Sequence, residues 1–223
     1  MSAARRKRKG DYHHGDLRNA LRDAAWSALE SGGVERLSLR ELAQTLGVSY
    51  AAPSHHFQDK EDLLDELRQM AWTRFADALD SALAARAAAL REVGHAYVRF
   101  ALAHPHALQL MFRPSTRGPT PQVLAQSKRA WAILLQAVTT EVGPKRSVDE
   151  RGLAAFAVAA WAQVHGLSML WTDVTLPPEM SERGAAEALR AAAIEVVIAG
   201  IDAVASPTGK RRAPAKAAPP KDR

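Results

Sequence analysis

The sequence predicts an all-α protein, in which an N-terminal three-helix helix-turn-helix domain precedes a larger C-terminal helical bundle. Alanine, leucine and arginine dominate the 223 residues, and β-branched residues are sparse outside short runs, a composition that favours helix. Apolar residues recur at helical spacing along most of the chain, and breaks containing glycine or proline separate these stretches. A chain of this length can bury a good core as one domain or as two domains in close contact.

The composition excludes several classes of protein. The chain contains no cysteine, which rules out a disulfide framework, thiol catalysis and cysteine-rich zinc sites, and which fits a reducing compartment. We expect no apolar run as long as the roughly 18 to 20 residues of a membrane span, and no signal-peptide core follows the basic N-terminus. These features predict a soluble cytoplasmic protein, and no motif calls for a cofactor.

Charge is distributed unevenly along the chain. Residues 1–10 carry a net charge of +5, residues 11–62 a net charge of −4, residues 63–206 none, and residues 207–223 a net charge of +5. The helix-turn-helix segment is therefore acidic by itself, so that attraction to DNA would have to come from a flexible basic arm over residues 1–14. The alternative is that both basic ends are solubilising tails.

The first helix is predicted to begin at Asp16 and to stop at Ser31-Gly32-Gly33. Its apolar residues repeat at helical spacing: Leu17, Leu21, Ala24, Ala25, Ala28 and Leu29. Trp26 lies off this stripe. It either contacts the following domain or is exposed, and the sequence does not decide between the two.

A helix-turn-helix signal follows at residues 38–63. Ser38 and Glu41 have the spacing of a capping box, and Gly47 can take the left-handed conformation that ends a helix. Ser49 is placed to cap a second short helix over about 49–55, whose first residues are small enough to lie against base edges in a major groove. The alternative is a purely structural helical hairpin.

The candidate DNA-contacting residues come from the basic arm, the helix-turn-helix and the start of the next helix. They are Arg5, Arg6, Lys7, Arg8, Lys9, Ser38, Arg40, Ser49, Tyr50, Ala51, Ala52, Ser54, His55, His56 and Lys60. The adjacent histidine pairs suggest metal binding at first sight. Neighbouring residues on a helix point in different directions, however, and no cysteine or carboxylate completes a set at ligand spacing. We therefore predict no metal site.

A long helix over about 60–82 is apolar on two sides, as expected of a helix that joins two packed bodies. We expect residues 15–62 to form the helix-turn-helix domain and residues 63–205 to form a ligand-binding and dimerisation domain. Two apolar helices, over about 148–172 and 181–205, need cover on several faces and predict a two-fold dimer interface. Residues 206–223 have the composition of a disordered basic tail.

Aromatic side chains are concentrated on the predicted helices of the larger domain. The candidate ligand-binding residues are Phe75, Tyr97, Phe100, Met111, Phe112, Trp131, Trp161, His165, Met169 and Trp171. An aromatic-lined cavity with one or two polar groups is the usual form of a small-molecule pocket. The alternative is that these side chains fill one another's space as an ordinary core.

The chain resembles the DNA-binding domain of TetR-family transcriptional repressors over residues 11–64. The resemblance lies in a capped first helix, Gly-Gly, the run Ser-Leu-Arg-Glu-Leu-Ala-x-x-Leu-Gly-Val-Ser and the run His-Phe-x-x-Lys-Glu-x-Leu-Leu. Trp161, His165 and Gly166 are similar to the Trp-His-Gly signature of one subgroup's ligand domain. One position departs from the pattern, because Ser54 stands where the family usually has a phosphate-contacting tyrosine.

The resemblance implies a homodimer that binds double-stranded operator DNA of palindromic sequence and is released by a small-molecule effector. The candidate pocket has few acids to pair a cation and few arginines to hold a carboxylate. We therefore expect an effector that is uncharged or weakly polar and is oriented by His165. The long helix over 60–82 is expected to carry the effector's influence to the DNA-binding domain.

Two other classes of function were weighed. His165 and Ser168 have helical i, i+3 spacing, but no nucleophile elbow, glycine-rich phosphate loop or paired-carboxylate motif is present, so that an enzyme is disfavoured. The second alternative is a helical protein-interaction module that never contacts DNA. The basic arm and the sequence of the predicted second helix argue against it.

Overall fold

A computed structural model describes most of the chain. The described residues are 14–84, 89–142, 149–172, 188, 191–197 and 199–200. The arm residues Arg5 to Lys9, most of the helix predicted over 181–205 and the tail 206–223 lie outside them.

The described residues form α-helices and two 3-10 turns, and they contain no strand, which confirms the all-α prediction. The helices are α1 (His14–Gly32), α2 (Leu39–Leu46), α3 (Lys60–Leu83), α4 (Ala89–Ala103), α5 (Pro105–Phe112), α6 (Pro121–Val142) and α7 (Glu150–Thr172). The 3-10 turns are Val34–Arg36 and Pro53–His55, and residues 191–197 are helical as well.

The predicted boundaries of α2 are confirmed by its caps. The side chain of Ser38 accepts a hydrogen bond from the backbone N–H of Glu41 at 3.4 Å. At the other end Gly47 has φ = 67°, the left-handed conformation that costs glycine nothing and a larger residue about 1–2 kcal/mol. The backbone N–H of Val48 then reaches back to the carbonyl of Ala43 at 3.0 Å, which closes the end of the helix.

The second helix of the helix-turn-helix was predicted to be an α-helix over 49–55, and this prediction was wrong. Residues 50–52 form a turn and Pro53–His55 a 3-10 turn. Pro53 has no N–H to donate to the carbonyl of Ser49, so an α-helical bond cannot form there. That carbonyl instead accepts the N–H of Ala52 at 3.0 Å, and the carbonyl of Ala52 accepts the N–H of His55 at 3.3 Å.

Helix α3 is the central element of the fold. Asp59 caps it by accepting the N–H of Asp62 at 3.0 Å, and the helix runs one residue further than predicted. It packs against α1, α4, α5 and α6. Buried side chains therefore lie on more than one face, as predicted: Leu63, Leu64, Leu67, Arg68, Ala71, Phe75, Ala76 and Leu79.

The structure decides the position of Trp26, which the sequence left open. Its side chain is buried. The guanidinium of Arg74, on α3, lies 4.0 Å from the centre of the indole ring. The ring of His104, at the start of α5, lies 6.1 Å away. Trp26 therefore contacts the larger helical body and joins α1 to it.

Arg68 is a charged side chain buried inside this packing, with only 3% of it exposed. It pairs with Asp65 and with Glu61, one and two turns earlier on α3. Its Nε also donates to the backbone carbonyl of Leu110, on α5, at 3.3 Å. Burial raises the pKa of Asp65, and the nearby Arg68 opposes that shift. Arg68 thus ties the middle of α3 to α5.

Helix α7 corrects one expectation from sequence. Its 23 residues include an 18-residue window with a mean hydropathy of at least 1.2, enough by length and composition alone to cross a membrane. The expectation that no run reaches that length was therefore wrong. Polar residues such as Gln163 and His165 interrupt the run, but its mean hydropathy is still 1.5. Helix α7 packs on α4 and α6 and buries Ala157, Ala160, Val164 and Ser168 there.

The burial of Arg68 generates a prediction about stability. Replacing Arg68 by alanine would leave the carboxylate of Asp65 and the carbonyl of Leu110 without this partner in a poorly hydrated place. We expect the free energy of unfolding, measured by urea denaturation at fixed protein concentration, to fall by about 3 kcal/mol. The matched control is Arg99→Ala on the exposed face of α4, with an expected change below ~0.5 kcal/mol. Equal effects of the two substitutions would contradict the role given to Arg68.

Candidate nucleic-acid interface and ligand cavity

The turn after α2 presents side chains to solvent on a buried support. Pro53 and Phe57 are buried beneath it. Tyr50 is the most exposed large side chain of the turn, at 60%. Its neighbours Ser49, Ala51, Ser54 and His55 are also exposed, whereas Ala52 and His56 are half-buried. An exposed row of small and aromatic groups on a packed base has the form of a surface that reads another macromolecule.

Arg40 and Tyr50 form one unit on this surface. The guanidinium of Arg40, which is exposed on α2, lies 5.0 Å from the centre of the Tyr50 ring. This cation–π contact holds the turn against the helix that precedes it. It also leaves the positive charge of Arg40 at the surface, beside the phenol group.

Ser54 has its hydroxyl group turned inward. The Oγ atom donates to the backbone carbonyl of Ala51 at 2.7 Å, while the residue as a whole is exposed. A phosphate oxygen can only accept a hydrogen bond, so a contact from Ser54 would require that internal bond to be exchanged. The predicted contact residues Ser38 and Lys60 are half-buried, with Ser38 engaged as the cap of α2.

The start of α3 is surrounded by acidic groups, in agreement with the negative charge of this segment. The N–H of Asp62 and the guanidinium of Arg117 both hydrogen-bond to Asp59 and lower the pKa of its carboxyl group. Arg18 pairs with Glu66 and stacks on the ring of Phe57, so its charge is already engaged. Within the described residues, Arg40 and Lys60 are left as the cations closest in sequence to the exposed turn.

A cavity of about 420 Å³ lies in the larger helical body, lined by residues of α3, α4, α5, α6 and α7. Five of the ten candidate ligand residues line it: Phe75, Tyr97, Phe112, Trp131 and Trp161. The other five do not: Phe100, Met111, His165, Met169 and Trp171. The volume falls within the range of about 300–1,000 Å³ that is usual for small-molecule sites.

Sequence reasoning missed most of the remaining wall. The missed residues are Trp72, Leu79, Leu90, Val93, Gly94, Ser127, Lys128, Ala130, Leu134, Ala160 and Val164. A signal was present for two of them, since Trp72 and Leu79 are spaced at i−3 and i+4 from Phe75 on one face of α3. The search for aromatic residues passed over the aliphatic ones, and it gave no reason to place a lysine in the wall.

Polar atoms at the inner end of the cavity bond to one another. The hydroxyl of Tyr97 and Nδ1 of His165 are 2.7 Å apart and share a hydrogen bond. Burial of Tyr97 raises the pKa of its hydroxyl, which therefore stays protonated at neutral pH. This hydrogen bond fixes the orientation of the two side chains.

The aromatic residues outside the wall pack behind it. The ring of Phe100 lies 5.2 Å from that of Phe75, and the ring of His165 lies 4.7 Å from that of Phe112. Both pairs are tilted strongly towards an edge-to-face arrangement, which aromatic rings favour. The predicted aromatic set is thus divided between cavity wall and core. Among the described residues, no group of three or more His, Asp or Glu side chains is placed to hold a metal ion.

Two family models match the chain. The model described as "Bacterial regulatory proteins, tetR family" matches residues 21–67, and the model described as "Tetracyclin repressor-like, C-terminal domain" matches residues 90–197. Together they cover more than half of the chain. The subgroup suggested by Trp161, His165 and Gly166 stays a prediction.

The chain is also similar to known proteins in sequence and in structure. An uncharacterized HTH-type transcriptional regulator from Mycobacterium tuberculosis is 28% identical over 184 residues, which is 79% of this chain and 75% of that protein. A solved structure of a protein of unknown function from Rhodococcus sp. RHA1 is 33% identical, with a TM-score of 0.67, and the match covers 86% of this chain and 98% of that one. PfmR from Thermus thermophilus, a TetR family transcriptional regulator, shares the fold at 24% identity, with a TM-score of 0.57 and coverage of 82% and 96%.

Filling the cavity tests whether it is accessible space. Ala130 lines it on α6, whereas Ala132, two residues along the same helix, is exposed. We expect Ala130→Phe to weaken the binding of a neutral hydrophobic dye such as N-phenylnaphthylamine by at least about tenfold, a loss of ~1.4 kcal/mol. The dye's fluorescence gives the affinity. Ala132→Phe is the control and should leave binding unchanged. Equal binding by both variants would show that the dye binds elsewhere.

Proposed function

Since the chain belongs to the TetR family of transcriptional regulators, we propose that it acts as a homodimeric repressor that binds a palindromic operator and is released from it by a small molecule. The observation that carries the proposal is the apolar cavity, because α3 forms part of its wall and also begins directly after the exposed turn. Residues 15–62 would then be the DNA-binding domain and residues 63–205 the ligand-binding and dimerisation domain. As a transcription factor of this family, the protein is not an enzyme.

We propose two contact classes on the DNA side. The exposed turn, with Tyr50 and Ala51, faces base edges in the major groove. Arg40 and Lys60 bind phosphates, as does the basic arm of residues 5–9, since the acidic surroundings of α3 leave few other cations. Ser54 also binds a phosphate if its hydroxyl gives up the hydrogen bond to the carbonyl of Ala51.

Helix α3 supplies a route from the cavity to the turn. Trp72, Phe75 and Leu79 lie in the cavity wall, and Asp59 caps the other end of the same helix. A bound molecule that displaces these side chains displaces a stiff helix, because packed interiors rearrange between discrete states. Helix α5 supplies a second contact, since Phe112 lines the cavity while the carbonyl of Leu110 holds Arg68. An effector shifts the equilibrium only if it binds the released form more tightly.

The dimer interface is proposed on the exposed face of α7. Ala155, Ala159, Ala162 and Gly166 are exposed at spacings of three and four residues, a stripe that permits close approach of a second helix. Val158 and Leu170 flank it, each 51% exposed. Val196, 71% exposed, extends the apolar surface on the neighbouring helical segment. A two-fold dimer would place two turns in successive major grooves, about 34 to 36 Å apart.

The proposed effector has an apolar body, since nearly all of the described wall is aromatic or aliphatic. The proposed location is the cytoplasm, where both operator DNA and small metabolites are accessible. Binding of the purified protein to labelled DNA from the promoter region next to its own reading frame tests the whole proposal. We expect saturable binding of two chains per site by fluorescence anisotropy. Absence of binding to any such fragment would favour a helical protein-interaction module instead.

The basic arm generates a prediction about salt. Each phosphate neutralised contributes about 0.9 to the slope of log K against log salt concentration. Deleting residues 1–9 removes five positive charges per chain and should reduce that slope by at least ~2 for a dimer, with weaker binding at every salt concentration. Replacing Lys210, Arg211 and Arg212 by serine is the control for charge outside the arm. An unchanged slope after the arm deletion would show that the arm makes no phosphate contact.

The proposed dimer interface generates a second prediction. Ala162→Glu places a charge and a longer side chain in the middle of the exposed stripe on α7. We expect sedimentation equilibrium to show a weakening of self-association by at least about a hundredfold, since an unpaired charge in an apolar interface costs several kcal/mol. Ala132→Glu on α6 makes the same change outside the proposed interface. If Ala162→Glu still sediments as the wild type does, α7 is not the interface.

A further inference from the structure

One lysine stands in the wall of the apolar cavity. Lys128, on α6, is the only charged side chain among the described residues that line it. Its neighbour Arg129 pairs with Asp77 and Asp80 on α3. Lys128 has no ion pair or hydrogen bond of its side chain within the described part of the chain, and it is exposed. Lys128 thus borders an otherwise apolar space with an exposed side chain, and the described residues provide no counter-charge for it.

The polar groups nearby are already engaged. The hydroxyl of Ser127 donates to the backbone carbonyl of Leu124 at 3.1 Å. The hydroxyl of Tyr97 is hydrogen-bonded to His165 at 2.7 Å. The described wall contains no Asp or Glu, so it offers nothing to pair with a cationic ligand and nothing to repel an anionic one. Among the described wall residues, Lys128 alone can therefore pair with an anionic group of a ligand.

We propose that the effector is an amphipathic monoanion, namely a carboxylate on an aliphatic or aryl-aliphatic body, with its head at Lys128 and its body in the cavity. This inference rests on the proposed effector function of the cavity and specifies its ligand class. Because Lys128 is exposed, the carboxylate stays close to solvent, and its desolvation cost is small. The body exchanges water for the rings of Trp72, Phe75 and Trp131. The prediction from sequence that charged effectors are disfavoured did not include a lysine in the wall. The carboxylate proposal replaces that prediction.

The test compares charged and neutral probes on the full chain by isothermal titration calorimetry, without DNA. The probes are decanoate and 4-phenylbutyrate, with decanol and 4-phenylbutanol as their neutral counterparts. We expect Lys128→Gln to weaken the binding of at least one of the two carboxylates about fivefold to tenfold. This is the effect of losing one partly screened charge-assisted contact. The same substitution should change the affinity of the corresponding alcohol by less than about twofold.

Two further variants separate charge at this position from charge in general. Lys128→Arg should retain the affinity for the carboxylate, and Arg99→Gln, which removes an exposed charge outside the wall, should leave all affinities unchanged. Raising the salt concentration should weaken the binding of the carboxylate but not the binding of the alcohol. The proposal is overturned if Lys128→Gln affects acid and alcohol equally, if it affects neither, or if no carboxylate binds the wild type at millimolar concentration.

Adding operator DNA distinguishes this inference from the proposed function. If carboxylates bind with the expected dependence on Lys128 but do not release DNA, the result supports the proposed ligand class and contradicts the proposed repressor mechanism. If the alcohols release DNA from the wild type and from Lys128→Gln equally, while the carboxylates do not, the result supports the proposed repressor mechanism and contradicts the proposed ligand class.

Discussion

Helix α3 is buried on more than one face, and this burial determines how the other helices are arranged. A helix with apolar side chains around most of its circumference has no stable position at a surface, so it must be covered on several sides at once. Helices α1, α4, α5 and α6 provide that cover. The helix-turn-helix and the larger helical body therefore share one continuous core, in which Phe57 and Phe75 are both members.

Polar contacts add specific connections to this shared core. Arg68 has the carbonyl of Leu110 and two carboxylates as partners, and only 3% of Arg68 is exposed. Arg117, in the loop after α5, pairs with Asp59 at the cap of α3. Both contacts connect α3 to a segment next to Phe112, which lines the cavity. A change in the cavity wall is thus close in space to groups that fix both the middle and the beginning of α3.

The cavity remains open because the rings around it are held in place from behind. Phe75 packs edge-to-face against Tyr97 at 5.0 Å, and Tyr97 is in turn fixed by its hydrogen bond to His165. Rings that are fixed in this way cannot rotate inward to fill the space. The same hydrogen bond engages the hydroxyl of Tyr97, and Ser127 and Lys128 are further polar side chains of the described wall.

Local spacing along the chain is enough to predict the helical class, the caps of α2 and the family, because it does not depend on the surrounding fold. Ser38 with Glu41, and Gly47, specify where α2 begins and ends. Five of the ten candidate ligand residues predicted from the sequence line the cavity. The sequence also contains the reason why no α-helix forms over 49–55, since Pro53 lacks the N–H that such a helix requires.

Packing between helices determines which side chains line the cavity and which pack behind it. Phe75 and Phe100 lie on different helices, and their order relative to the open space depends on the relative rotation of α3 and α4, which no single helical stripe encodes. The same reason applies to Trp26, whose burial comes from Arg74 and His104, and to Lys128, whose place in the wall is set by the packing of α6 on α3. Periodicity tells which residues of a helix share a face, whereas the partner of that face is fixed by packing between helices far apart in the chain.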